Sequence, residues 1–210
     1  MAHKRKEKRP RGLDPVTGQQ FDSEEEMYFS WYLDELKEAG YVKDWKHEAK
    51  SYVLSDGLTK RRSEPRKRVA DKIYEYELIK PSVYTPDFQI DWEPKAEDIF
   101  FRCIMHYYTD LRQSKIPYIT SNLENECVVE IKPLYDKNNM TRLARTNIKW
   151  VWDKHRVYVN LIKVPRIFKD TFTPKRYLLT PTGKTKRITF TTRTLQEFVE
   201  NQSIKNGKAI

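Results

Sequence analysis

Cys127-Val-Val-Glu130-Ile-Lys132, closed by Pro133, is the stretch on which the fold turns. Its apolar residues run together ahead of the charges, as in a short strand buried inside a sheet. Proline cannot continue the hydrogen-bond ladder, so the strand ends there. Glu130 and Lys132 are two residues apart, and in a strand both side chains therefore point to one face. Taken alone, Glu-x-Lys reads first as a strand end with two solvated charges. The apolar run before it argues the other way, because an ionised pair in such a setting needs a partner.

Upstream, Tyr84-Thr-Pro-Asp-Phe-Gln-Ile-Asp-Trp92 reads as a strand in which Asp87 directly follows Thr85-Pro86. Lys72–Ile79 alternates in strand fashion, and Tyr41–Trp45 and Ala49–Leu54 are two further extended runs, the second ended by the turn Ser55-Asp56-Gly57. The basic runs Lys60-Arg61-Arg62 and Arg66-Lys67-Arg68 read as a loop. Before all of these, Asp22 or Ser23 opens a helix with Glu24, Glu25 and Glu26 in its first turn, where carboxylates suit the positive helix end. Phe29, Tyr32, Leu33 and Leu36 recur at helical spacing, Glu26 falls at the start of that stripe, and Gly40 stops the helix. Downstream, Met140–Lys154 reads as a helix with Leu143, Asn147, Trp150 and Val151 on its inward face, then a strand over Val157–Ile162. Residues 93–122, with their own aromatics, read as a partly helical insertion that must leave the sheet if Asp87 and Glu130 are to meet.

Asp87, Glu130 and Lys132 thus carry the chemistry. A hard divalent cation takes oxygen ligands, and two carboxylates with the Ile131 backbone carbonyl supply them. Such an ion activates water and stabilises charge on a phosphate, while Lys132 beside it orients the water and neutralises developing charge. Zinc chemistry lacks the residues: His47 and His155 have no second ligand at the right spacing, and Cys103 and Cys127 form no Cys-x-x-Cys pair.

The partner is suggested by charge. With 40 Lys+Arg against 30 Asp+Glu the chain carries +10, which favours a polyanion, nucleic acid before a membrane surface. Residues 1–20 read as a basic disordered arm with Lys4, Arg5, Lys6, Lys8, Arg9 and Arg11, either touching phosphates or serving solubility. Arg142, Arg145, Lys149 and Trp152 recur on one face of the 140–154 helix, suited to phosphate contacts, or else a solvated helix face. Residues 163–210 form a basic C-terminal extension whose 163–187 part, broken by Pro165, Pro174, Pro181 and Gly183, reads as loops or short hairpins. No stretch is apolar for the roughly 18 residues of a membrane span, and the low cysteine content points to the cytosol, or a host cytosol for a viral chain.

Tyr84-Thr-Pro-Asp87-Phe followed by Val129-Glu130-Ile-Lys132-Pro resembles the PD-(D/E)xK nuclease superfamily, and the order of helix, strands, Pro-Asp, Glu-x-Lys, helix and strand is similar as well. Ser23-x-x-Glu26-x-x-Phe29-x-x-x-Leu33 resembles the first core helix of phage and transposon members, including Holliday-junction resolvase-like enzymes. The resemblance covers residues 22–162. It implies an α/β restriction-endonuclease-like core at 21–162, with a central mixed β-sheet flanked by helices. It also implies a DNA endonuclease using Mg²⁺, with Mn²⁺ as substitute, in which Glu26 joins Asp87, Glu130 and the Ile131 carbonyl at the metal. A homodimer belongs to the same picture, since two symmetric cuts need two sites. The competing expectation is a non-catalytic nucleic-acid-binding protein using the arm and the basic helix. The residues do not distinguish DNA from RNA.

Overall fold

The computed structural model describes residues 12–65, 70, 72–105, 118–134, 140–179 and 190–205. A helix α1 (Glu24–Glu38) leads into strands β1 (Val42–His47), β2 (Tyr52–Ser55), β3 (Leu58–Glu64), β4 (Lys72–Ile79), β5 (Ser82–Tyr84) and β6 (Phe88–Trp92). Short strands β7 (Phe101–Cys103) and β8 (Ile119–Ser121) precede β9 (Glu126–Ile131), helix α2 (Met140–His155) and β10 (Val159–Ile162). Helices α3 (Val164–Asp170), α4 (Lys175–Leu178) and α5 (Leu195–Lys205) come last.

Four strands make the central sheet in the order β1-β6-β9-β10. The first two neighbouring pairs are antiparallel and the last is parallel. Parallel neighbours cannot be joined by a tight turn, and α2 supplies the crossover between β9 and β10. The protein is a mixed α/β structure with a mixed sheet flanked by helices.

Each face of the sheet has its own apolar cluster. On one, Phe29 and Leu33 of α1 meet Phe88, Ile90, Cys127, Val129 and Ile131. On the other, Val151 of α2 meets Tyr52, Leu54, Tyr84, Val128 and Val159. The alternation along β9 therefore sends Val129 and Ile131 toward α1, and Val128, Glu130 and Lys132 toward the α2 side.

Helix α1 begins as the acidic turn and the Gly40 stop imply. The Ser23 hydroxyl accepts the Glu26 N–H at 3.1 Å, and the Glu26 carboxylate accepts the Ser23 hydroxyl at 2.7 Å and the Asp22 N–H at 3.2 Å. This reciprocal capping box satisfies amides that the first turn leaves unpaired. Gly40, at φ +71°, closes the helix in the left-handed conformation that glycine adopts without strain.

Several elements differ from the sequence reading. Lys60-Arg61-Arg62 is not a loop but part of β3, paired along its length with β4; its charges hide strand character that only the partner strand reveals. Arg66-Lys67-Arg68 lies outside the described residues. The inward face of α2 is Ala144, Asn147, Ile148 and Val151, while Leu143 and Trp150 are exposed. The small Ala144 permits close approach to the sheet, and a helix with apolar residues on two flanks does not announce which one packs. Among the described residues of 93–122, β7 and β8 pair with each other and not with the central sheet, yet Phe100, Phe101 and Ile119 are buried in the α1-side cluster; residues 106–117 lie outside the described residues.

The 163–187 stretch begins as helices α3 and α4 rather than loops, because Pro165 stands in the first turn of α3, where its missing N–H costs nothing. Its later part, 180–187, lies outside the described residues. Ile167, Phe168 and Phe172, with Phe198 of α5, belong to the same core as the sheet. Residues 12–20, expected within a disordered arm, form a turn around Asp14. That carboxylate accepts the Val16 N–H at 2.8 Å and the Trp31 indole N–H at 3.1 Å. Residues 1–11 lie outside the described residues.

Candidate active site

The β6/β9 register pairs Phe88 with Val129, so Asp87 and Glu130 adjoin at the ends of neighbouring strands. Since Val129 faces α1, Glu130 faces the other way, while Asp87 stands in the bend just before β6 rather than in the strand expected from the sequence. Beyond the last ladder pair, the Asp87 carboxylate takes over the pairing role and accepts the Ile131 N–H at 2.5 Å. The Asp87 carbonyl accepts the Glu48 N–H at 2.9 Å, which ties it to the end of β1.

Glu130 is 5% exposed and fully engaged. The Tyr84 hydroxyl donates to its Oε2 at 2.8 Å, and Lys132 Nζ lies 2.5 Å from its Oε1. The Lys132 N–H donates to the Ile162 carbonyl at 2.9 Å, so β10 fixes the lysine's backbone while Glu130 fixes its head. Within a strand the N–H and C=O of one residue point to the same side. The Ile131 carbonyl therefore faces the edge at which its N–H meets Asp87.

The electrostatics show strain between the carboxylates. Burial and then the charge of Glu130 push the Asp87 carboxyl up to about 7, with Glu26 adding to the effect. The Ile131 N–H and the Lys132 ammonium oppose the rise without cancelling it. Burial, the Glu130 charge and the bond to its carboxylate lift the Tyr84 hydroxyl well above its ordinary range. It therefore stays a donor at any working pH. Two acids forced together in a desolvated setting repel one another, and a cation relieves that repulsion.

Glu26 comes from the α1 side of the sheet. Both of its oxygens serve the capping box, and Oε2 also lies 3.3 Å from His47 Nε2. Burial acts to raise the Glu26 carboxyl, but His47, Ser23 and the Asp22 N–H outweigh it and hold it below its ordinary value of 4.5. The bond to Glu26 raises His47 above its ordinary 6.5 despite partial burial, with the charges of Glu48, Glu26 and Asp87 adding to the rise. The histidine's stabilising contribution is fully present below 6.5 and is lost as pH climbs through its folded value. That of Glu26 is present above 4.5 and is lost as pH falls through its folded value. Glu26→Gln is expected to move the His47 titration down, toward or below 6.5, as read by NMR of the ring protons. An unchanged His47 titration would refute the pairing.

Of the residues proposed from sequence, Asp87, Glu130, Lys132 and the Ile131 backbone come together. Glu26 is near enough for its charge to act on Asp87, but it is bound elsewhere. Arg142, Arg145, Lys149 and Trp152 are exposed on α2. The sequence reading assigns no role at this site to two residues that stand in it, Tyr84 and His47. Tyr84 shows there only as the start of the strand before Asp87, and His47 lacks any neighbour in the chain to mark it. The Ser-x-x-Glu spacing at 23–26 does carry a legible signal, that of a capping box.

Among the described residues no three His, Cys, Asp or Glu side chains converge into a ready metal site. Magnesium asks for less. It keeps several waters and takes one or two carboxylates, with substrate phosphates completing its shell. Asp87, Glu130 and the Ile131 carbonyl fit that requirement. Comparison with protein-family models, with curated proteins and with solved structures found no match in any of the three. Among the described residues no helix is long and apolar enough to cross a membrane.

Proposed function

We propose that this protein is a Mg²⁺-dependent endonuclease that hydrolyses DNA phosphodiester bonds, built on a PD-(D/E)xK-type, restriction-endonuclease-like core. The observation that carries the reading is the approach of Asp87, held on the Ile131 N–H with its carboxyl pushed up to about 7, to the buried Glu130–Lys132 pair. The strand order β1-β6-β9-β10, with α1 before it and α2 crossing from β9 to β10, supports the same reading.

Asp87, Glu130 and the Ile131 carbonyl are the residues that would hold the ion. When bound, it supplies Lewis-acid stabilisation of charge on the phosphate and a more acidic water. The chain's own residues do the rest. Lys132 presents its ammonium beside Glu130, where it donates to a phosphate oxygen and orients the attacking water. Tyr84 locks the Glu130 rotamer through Oε2. Glu26 and His47 brace the rim of the site, and the Glu26 charge adds to the field that attracts a cation. Arg142, Arg145 and Lys149 contact phosphates without reading sequence, so cleavage is selective for DNA structure rather than sequence. A homodimer with two sites belongs to this reading when cuts are paired.

The test is a panel of linear, nicked, flapped and four-way DNA incubated with Mg²⁺ or Mn²⁺. Cleavage that vanishes with EDTA is the expected result. Binding without cleavage on every substrate would overturn the enzyme and leave a non-catalytic nucleic-acid-binding protein. One sequence cut far faster than all others, whatever its shape, would overturn structure selectivity.

A further inference from the structure

Strands β3 and β4 form a two-stranded ribbon in which every residue is exposed. Such a ribbon is marginally stable by itself, and neither strand adds a residue to either buried cluster. Packing therefore does not account for its side chains.

The register sorts those side chains by face. Lys60 lies opposite Tyr76, Arg62 opposite Tyr74 and Glu64 opposite Lys72; on the other face Thr59 meets Glu77, Arg61 meets Glu75 and Ser63 meets Ile73. The first face has the cations Lys60, Arg62 and Lys72 against Glu64, with two tyrosines between them. The second has Arg61 against Glu75 and Glu77, and Arg61 is already ion-paired with Glu75. Lys72 Nζ stands 4.6 Å from the centre of the Tyr74 ring, so cation and aromatic work as one surface. The ribbon is rooted at the acidic site, because β4 returns through Pro81 to β5, whose Tyr84 holds Glu130.

We infer that the Lys60/Arg62/Lys72/Tyr74/Tyr76 face of this ribbon docks in the major groove of duplex DNA, which makes B-form duplex rather than double-stranded RNA the substrate. The charge of that face matches a polyanion, and its partner face does not. A groove about 12 Å wide admits a two-stranded ribbon, whereas the deep, narrow major groove of A-form RNA does not. Seven residues at about 3.4 Å each give the ribbon a reach of roughly 24 Å. This inference deepens the endonuclease reading by naming its substrate class, and it rests on that reading for the cleavage that comes after docking.

Arg61 and Arg62 are adjacent, carry the same charge and point to opposite faces, which makes them a matched pair for the test. Binding of a short labelled DNA duplex is measured by fluorescence anisotropy in EDTA, across a salt series, on the full chain. Arg62→Gln is expected to weaken binding about tenfold and to lower the slope of log K against log salt by about one. Arg61→Gln is expected to leave both within about twofold, and double-stranded RNA of the same sequence to compete at least about tenfold more weakly than the DNA. Equal behaviour of the two variants, or RNA competing as well as DNA, would overturn the inference. So would a loss of self-association in Arg62→Gln by size-exclusion chromatography with unchanged DNA binding, since the ribbon would then be a protein contact. Failure of the endonuclease reading looks different: wild type would bind duplex DNA through Arg62 and still cut nothing with Mg²⁺.

Discussion

Glu130→Gln is expected to lower Mg²⁺-dependent cleavage by about a thousandfold, equivalent to about 4 kcal/mol of barrier, while duplex binding in EDTA stays within about twofold. Glutamine is the informative substitution because it keeps the shape of the site. Its side-chain carbonyl can still accept from the Tyr84 hydroxyl, which now meets Oε2 at 2.8 Å. Lys132 keeps a negative neighbour in Asp87, whose carboxyl already feels the lysine's charge. Alanine would instead leave the largely buried lysine head without its partner, a change that by itself costs about 3–5 kcal/mol of stability and confuses the readout. With glutamine the fold persists, and the rate reports the loss of one of the two carboxylates proposed to hold the ion. Cleavage within about tenfold of wild type would remove Glu130 from the chemistry.

Asp87→Asn is expected to make the metal-free protein more stable at pH 8 by about 2–4 kcal/mol, and nearly unchanged at pH 4. The folded state raises this carboxyl from 3.8 to about 7, so it binds the proton more tightly than the unfolded chain does. Stability therefore falls as pH rises between those two values, and levels off above the upper one. Asparagine removes the buried charge, still accepts the Ile131 N–H and can donate toward Glu130. Magnesium should close most of the gap between the two proteins. An ion that binds only the folded state stabilises it by about 2.7 kcal/mol at a hundred times its dissociation constant, and the asparagine variant should lose most of that gain. Thermal or urea unfolding at both pH values, with EDTA and with Mg²⁺, measures all four quantities. A variant less stable than wild type at pH 8 in EDTA would show that the Asp87 charge is not under strain.

Much of this site is legible from residue spacing. Period-two alternation places Glu130 and Lys132 on one face, and Thr-Pro ahead of Asp87 marks the start of its strand. What spacing does not convey is which strands become neighbours. The β6/β9 pairing that joins Asp87 to the Ile131 N–H spans a long excursion through β7 and β8, and only the shared core settles it. The same limit explains the ribbon, where a run of Lys and Arg becomes a strand because Ile73, Tyr74 and Tyr76 pair with it. In α2, Ala144 and Val151 win over Leu143 and Trp150 because the inward side is chosen by the shape of the sheet, not by the size of the apolar residue. Glu26 does sit at the edge of the buried stripe, yet its oxygens are already required by the helix end and by His47.

The late part of the chain closes the α1 face of the sheet. Phe172 stacks on Tyr32 with ring centres 4.5 Å apart, and Phe198 lies 5.5 Å from Phe100. During synthesis, then, the strands bearing Asp87 and Glu130 emerge long before the aromatic lid that dries their far side. A chain stopped ahead of residue 198 would hold Asp87 and Glu130 on a sheet whose α1 side is still half-wetted.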